Sequence, residues 1–142
     1  MLTYADYILE ASLTKVQALL RTPLNVAMQP GYISVIPLLG RYAEENICQL
    51  AYTLDDQIKA KRVQTIGVRA VPVGKLIPTQ YTMLGSDIED MLRRHTYDSK
   101  PIRAAAYKHH YLIIDGHHRA ACYAALEREY IKAEIYSLPL TS

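Results

Sequence analysis

The stretch Tyr111-Leu112-Ile113-Ile114-Asp115-Gly116-His117-His118-Arg119-Ala120 constrains this chain more than any other. Four apolar residues in a row read as a buried strand. A glycine follows at the turn, and Ala120-Ala121-Cys122-Tyr123-Ala124-Ala125-Leu126 is then a run of good helix formers. The order is strand, tight turn, helix start. A helix start carries unpaired backbone N–H groups and a partial positive charge, which makes it a natural seat for an anion. Here the seat also carries two imidazoles and a guanidinium, with the Asp115 carboxylate at its lip.

The rest of the chain supplies a fold around that seat. With 142 residues, half of them apolar, one domain with an added subdomain is expected. Phe and Trp are absent and Tyr occurs 12 times, so tyrosines must supply the aromatic core, with hydroxyls paired or directed outward. A formal net charge of +2 is too small to argue by itself for nucleic acid or a membrane surface. Cys48 and Cys122 lie far apart in apolar helical contexts and read as small buried hydrophobes in a reducing compartment. The first residues carry Asp6 and Glu10 and no leading basic cluster or long apolar run, unlike a signal peptide, so the expected location is cytoplasmic, with no membrane partner.

Residues 3–21 read as a helix, opened by a Thr3–Asp6 capping box, with Tyr4, Ile8 and Ala11 on one face. Ser12 is a candidate break, after which Leu13, Val16, Leu19 and Leu20 form a second stripe. Residues 22–40 are a Pro- and Gly-containing connector with an extended piece at 32–36. Residues 41–62 form an amphipathic helix with the stripe Ala43, Ile47, Leu50, Leu54 and Ile58, flanked by charges that include Asp55, Asp56 and Lys59. A β-branched run at 66–73 reads as a strand, and 75–80 as a turn-like segment. Ser86 and Glu89 have the spacing of a capping box for a helix running to about His95, itself a candidate C-terminal cap, and burying Ile88, Met91 and Leu92. Arg93 and Arg94 read as a solvated face. Residues 102–107 and 111–114 read as a hairpin joined through Lys108, His109 and His110. A helix over 117–128 and an alternating strand at 131–135 complete the chain. The predicted class is α+β: a small mixed sheet with helices over 66–142, preceded by an N-terminal helical layer over 1–65 that is a candidate homodimer contact.

Three pieces of the second part resemble the ParB/sulfiredoxin superfamily. Val73-Gly74-Lys75-Leu76-Ile77-Pro78-Thr79-Gln80 is similar to its first box, Lys100-Pro101-Ile102-Arg103-Ala104 to its second, and Ile113-Ile114-Asp115-Gly116-His117-His118-Arg119-Ala120 to its third. The sulfiredoxin branch has Gly-Cys-His-Arg in the third box, and here His117 stands where the nucleophilic Cys would be. Partition proteins have Gly-Glu-Arg-Arg and bind cytidine triphosphate, and here the Glu and first Arg are both His. Free-serine kinases have Asp-Gly-His-Thr-Arg, which this chain matches at Asp115, Gly116, His117 and Arg119.

In all three branches this turn holds phosphates. The resemblance therefore implies a nucleotide-binding enzyme of phosphoryl transfer or nucleotide hydrolysis, using Mg²⁺ with ATP, ADP or CTP, with a small-molecule acceptor as a further partner. The alternative is a non-catalytic DNA-partition or nucleotide-switch module, or a ParB-like nuclease. DNA is the weaker partner expectation, because no basic helix-turn-helix segment of the partition type follows Arg119. Gly116 allows close backbone approach and Arg119 offers a planar fork to phosphate. His117 and His118 can donate to phosphate oxygens, and one can move a proton. Asp115 is open to three readings: an N-cap, a Mg²⁺ contact through water, or a base. Glu89 is a candidate base by position between the first and second boxes, and Lys75 and Gln80 are candidate nucleotide contacts. His109, His110, His117 and His118 are not expected to form a metal site, since adjacent histidines diverge and no Cys or Glu stands at ligand spacing.

Overall fold

Helix α1 spans Tyr4–Arg21 and opens as its sequence predicts. Thr3 Oγ1 accepts from the Asp6 amide at 3.1 Å, and Asp6 Oδ2 accepts from the Thr3 amide at 3.1 Å. The computed structural model describes residues 3–21 and 31–138. Ser12 does not break the helix. Its hydroxyl is buried, 2.7 Å from Ile8 O within the helix and 2.9 Å from Ala125 O across the core. That inward contact sets the buried stripe along Ile8, Ser12, Leu13 and Val16, so Tyr4 and Ala11, expected on an apolar face, are exposed.

Strand β1 (Tyr32–Ser34) is followed by a one-turn helix α2 (Ile36–Leu39), with Pro37 in its first turn where a missing N–H costs nothing. Expected extended structure therefore ends two residues early. Helix α3 spans Glu45–Lys59, shorter than the predicted 41–62. Residues 41–44 are non-helical because the Ala43 amide donates to Pro78 O at 2.9 Å, tying that segment to the first-box loop. The α3 stripe buries Ile47, Cys48, Ala51, Leu54 and Ile58, each aliphatic side chain worth roughly 1.5–3 kcal/mol gross.

Strand β2 (Gly67–Pro72) leads through a 3₁₀ turn (Val73–Lys75) into β3 (Leu76–Ile77), and β4 follows at Thr82–Leu84. The segment expected to be only turn thus contributes a short strand. Helix α4 (Gly85–Arg94) departs from prediction at its start. Its N-cap is Leu84, with no side-chain cap bond, and Ser86 lies inside the first turn. The strands explain this. β1 pairs antiparallel with β4, and the Gly85 amide donates to Gly31 O at 2.8 Å, so pairing outside the helix fixes where it begins. Glu89 instead takes a 3.4 Å bond from Gln17 on α1 and pairs with Arg93 at 3.5 Å. His95 is the α4 C-cap in the left-handed region (φ 55°), as its position suggested, and its ring meets the Tyr97 hydroxyl at 3.2 Å.

Strands β5 (Ile102–Tyr107) and β6 (His110–Asp115) form the expected hairpin. Helix α5 spans His117–Ala125, ending three residues before the predicted Arg128 because Glu127 turns left-handed (φ 57°). Strand β7 (Tyr130–Ser137) closes the chain. Among the described residues, five strands form a mixed sheet in the order β2-β7-β5-β6-β3, with β6 parallel to β3 and antiparallel to β5. This is a mixed α and β fold, as the sequence predicts.

The continuous apolar run of β6 now has its reason. Ile113 packs with α1, α4 and α5 on one face, whereas Leu112 and Ile114 pack with α3 on the other. A strand covered on both faces needs no polar alternation. Residues before 66 are integral to this packing: Val16, Ile33, Val35 and Leu39 share a cluster with Val71, Ile88 and Ile113. Both cysteines are buried and free. Among the described residues, no helix is long and apolar enough to cross a membrane.

Candidate functional site

The β6–α5 turn is built around Gly116, the α5 N-cap, at φ 104° and ψ 28°. A Cβ placed there would lie 2.6 Å from Ile102 Cγ2 and 2.9 Å from the Arg119 guanidinium, so the turn admits no side chain. Asp115 makes no capping bond, so the N-cap reading falls to its glycine neighbour. The first-turn amides of α5 have no acceptor within the helix, while Gly116 O already accepts from the Ala120 amide at 2.9 Å. Small residues on the inner face of α5, Ala120, Ala121 and Ala125, let the helix lie close on the sheet and hold this turn in place.

The turn opens on a cleft of about 490 Å³. Tyr52 and Asp55 of α3 line it, with Thr79 and Gln80 of the first box, Lys100 of the second, and Asp115 to Arg119 of the third. The loop that carries Lys100 is fixed from behind, since Asp98 accepts from Tyr123 Oη and from Arg128, the latter at 3.0 Å.

His117 is 6% exposed and serves the architecture. Its Nε2 accepts the Thr79 amide at 3.0 Å, which places the ring proton on Nδ1. Burial, with His118 adjacent, pushes its pKa down to about 3, against a smaller opposing pull from Asp115. A neutral imidazole that already accepts an amide is not a proton carrier at neutral pH, which leaves His118 as the candidate of the two. It also makes stability depend on pH. The unfolded ring takes a proton near pH 6.5 and the folded ring resists it, so stability is complete above 6.5 and declines as pH falls toward 3. His117 is expected to cost about 2 kcal/mol between about pH 7 and pH 5. Urea denaturation of wild type and His117→Gln at both values checks this, because the glutamine carbonyl can accept the same amide but does not titrate. The wild-type decline should exceed the variant's by about that amount.

Arg119 is likewise committed. It is 5% exposed, and its NH1 donates to Lys100 O at 2.9 Å and Pro101 O at 2.7 Å. Its NH2 stands 3.5 Å from Asp115 Oδ2. The guanidinium therefore staples the second box to the third, rather than presenting an open fork to a phosphate.

His118 is half-buried, with Nε2 enclosed, without a hydrogen-bond partner and 4.0 Å from Asp87 Oδ2. Desolvation lowers its pKa, opposed by Asp87, so it remains a candidate neutral base. Asp115 is half-exposed at the cleft mouth. Gln80 donates Nε2 to Thr82 O at 2.8 Å, leaving its carbonyl as an acceptor within the cleft. Glu89 does not line the cleft, because its bonds hold it against α1, and Lys75 lies elsewhere. His109 and His110 sit at the other end of β6 from Gly116, so the four histidines do not converge. Among the described residues, no three His, Cys, Asp or Glu side chains gather as metal ligands.

Sequence reasoning missed Asp55, Tyr52 and Thr79. Asp55 Oδ2 pairs with Lys59 at 2.8 Å, while its Oδ1 is enclosed without a partner. Tyr52 Oη donates to Thr79 O at 2.8 Å. Tyr52, Asp55 and Lys59 recur at i, i+3 and i+7, one helical face bordering the apolar stripe. That spacing was the available signal, and it looked like an ordinary solvated flank. Compared with known proteins, the chain matches no family model and no curated protein.

Proposed function

We propose that the chain is a ParB/sulfiredoxin-like nucleotide-binding protein that holds phosphates at the Asp-Gly-His-His-Arg turn and acts there in phosphoryl transfer or nucleotide hydrolysis. One observation carries the reading. Residues 116–119, whose amides lack acceptors in the helix, line the same cleft as Lys100, behind a glycine that leaves no room for a side chain. The resemblance supports it further, since its three boxes, far apart in sequence, border one cavity through Thr79, Lys100 and Asp115. The buried free thiols fit a cytoplasmic setting.

In this reading the α5 amides and the Lys100 ammonium bind phosphate oxygens, and the Gln80 carbonyl accepts from the base or ribose. Asp115 or His118 takes the proton from an acceptor hydroxyl or water. Asp115 and Asp55, two oxygen donors with an unpartnered oxygen on Asp55, would hold Mg²⁺ together with the nucleotide's own oxygens. When bound, the ion supplies neutralisation of phosphate charge. His117 and Arg119 hold the cradle's shape.

Thermal shift with ATP, ADP and CTP, each with and without Mg²⁺, tests the proposal. Ligand at about 100 times its Kd should add about 2.7 kcal/mol of stability. Lys100→Ala, at an exposed position, should leave the unliganded melting temperature unchanged and weaken that gain. Asp115→Asn should retain binding in the absence of Mg²⁺ and lose turnover with free serine or water as acceptor. No shift with any nucleotide sinks the reading. The commitment of His117 and Arg119 to internal bonds favours a second reading, a nucleotide switch or partition module without turnover. Binding without turnover under every acceptor would select it.

A further inference from the structure

We propose that the tip of the β5–β6 hairpin is a binding site for single-stranded nucleic acid, separate from the Gly116 cleft at the opposite end of β6. Two clefts, of about 500 and 370 Å³, flank this hairpin and share Tyr107, Lys108 and His110. The cations Arg41, Lys75 and Lys108 line them, against a single carboxylate, Glu44. Elsewhere, arginines such as Arg93, Arg94 and Arg128 are paired with acids, but Arg41 and Lys75 make no ion pair among the described residues. This is a local excess of positive charge on a chain whose total is only +2.

Aromatic rings interleave with those charges. Tyr42 lines the first cleft and Tyr111 the second, with Tyr107 between them. Lys108 Nζ lies 5.3 Å from the Tyr107 ring centre, and the Arg69 guanidinium 5.9 Å from that of Tyr111. Cations for phosphates beside rings for bases are what a single strand requires. The clefts are too small for a duplex, and a flat anionic membrane would not enter them.

The turn itself adds a second reason to look here. Lys108 and His109 both adopt left-handed backbone (φ 45° and 63°), a hairpin conformation that ordinarily selects Asn-Gly. The strained pair places a lysine and an imidazole at the tip, and backbone strain of this kind concentrates at functional positions. His110 Nδ1 donates to Lys108 O at 3.0 Å, leaving its Nε2 free within the clefts.

Fluorescence anisotropy with short labelled oligo-dT and oligo-rU over a potassium chloride series tests this on the full chain. Neutralising three phosphates should give a slope of log K against log salt of about −2. Lys75→Glu combined with Lys108→Glu, both at exposed positions, should weaken binding at least tenfold while leaving the melting temperature in place. Tyr42→Ser should weaken oligonucleotide binding about tenfold and leave binding of inorganic polyphosphate unchanged. Lys100→Ala, which acts on the other cleft, should change nothing here. Absence of binding at low salt overturns the proposal. So does a Tyr42→Ser effect that is equal for oligonucleotide and polyphosphate, or tighter wild-type binding of polyglutamate or anionic vesicles.

Discussion

Gly116→Ala is expected to lose about 2–5 kcal/mol of stability and, under the proposed function, all nucleotide-dependent stabilisation. Two costs combine. An L-residue at φ 104° carries backbone strain of about 1–2 kcal/mol. The new methyl also meets Ile102 at 2.6 Å, and Ile102 is fully buried on β5, so relief requires the strand itself to shift, an overpacking cost of about 1–3 kcal/mol. For a chain of this size, the loss should lower the melting temperature by roughly 10 °C. Chemical denaturation measures the stability, and titration of the surviving folded fraction measures the binding. Near-wild-type stability would mean that the turn relaxes freely and the cradle is not held as described.

Arg119→Ala is expected to be a lesion of comparable size, at about 3–6 kcal/mol. The Lys100 and Pro101 carbonyls lose charge-assisted donors, each such bond being worth roughly 1.5–3 kcal/mol, and a buried side chain leaves a void. Arg119→Lys should recover only part of this, because one ammonium cannot reproduce the planar fork. Urea midpoints for both variants decide between a staple and a phosphate ligand. A staple lowers unliganded stability, whereas a ligand lowers only the nucleotide-dependent increment.

These two residues show what the amino-acid order reveals and what it hides. The β6 run was readable because a strand covered on both faces must be apolar throughout, whatever covers it. The Thr3–Asp6 cap was readable because all its partners lie within one turn. Arg119 was misread because its acceptors are backbone carbonyls, chemically identical at every position, so its charge was visible and its partners were not. The Ser86–Glu89 cap failed for a similar reason: the pairing of β1 with β4 set the helix start, and Gln17 drew Glu89 toward α1. Asp55 was hidden in the opposite way. It sits among seven other charges over residues 41–62, and only the packing of that helix beside β6 shows which of them borders the cleft.

Thr79 joins distant parts of the chain through three bonds. Its amide is held by His117, its carbonyl by Tyr52, and its hydroxyl donates to Ile113 O at 2.6 Å. Mechanically it is a rivet through three plates. Any tilt of α5 would pull on one side of this residue, and α3 would have to follow or surrender its tyrosine bond. The early helix is thereby geared to the late one, with no direct contact between the two required.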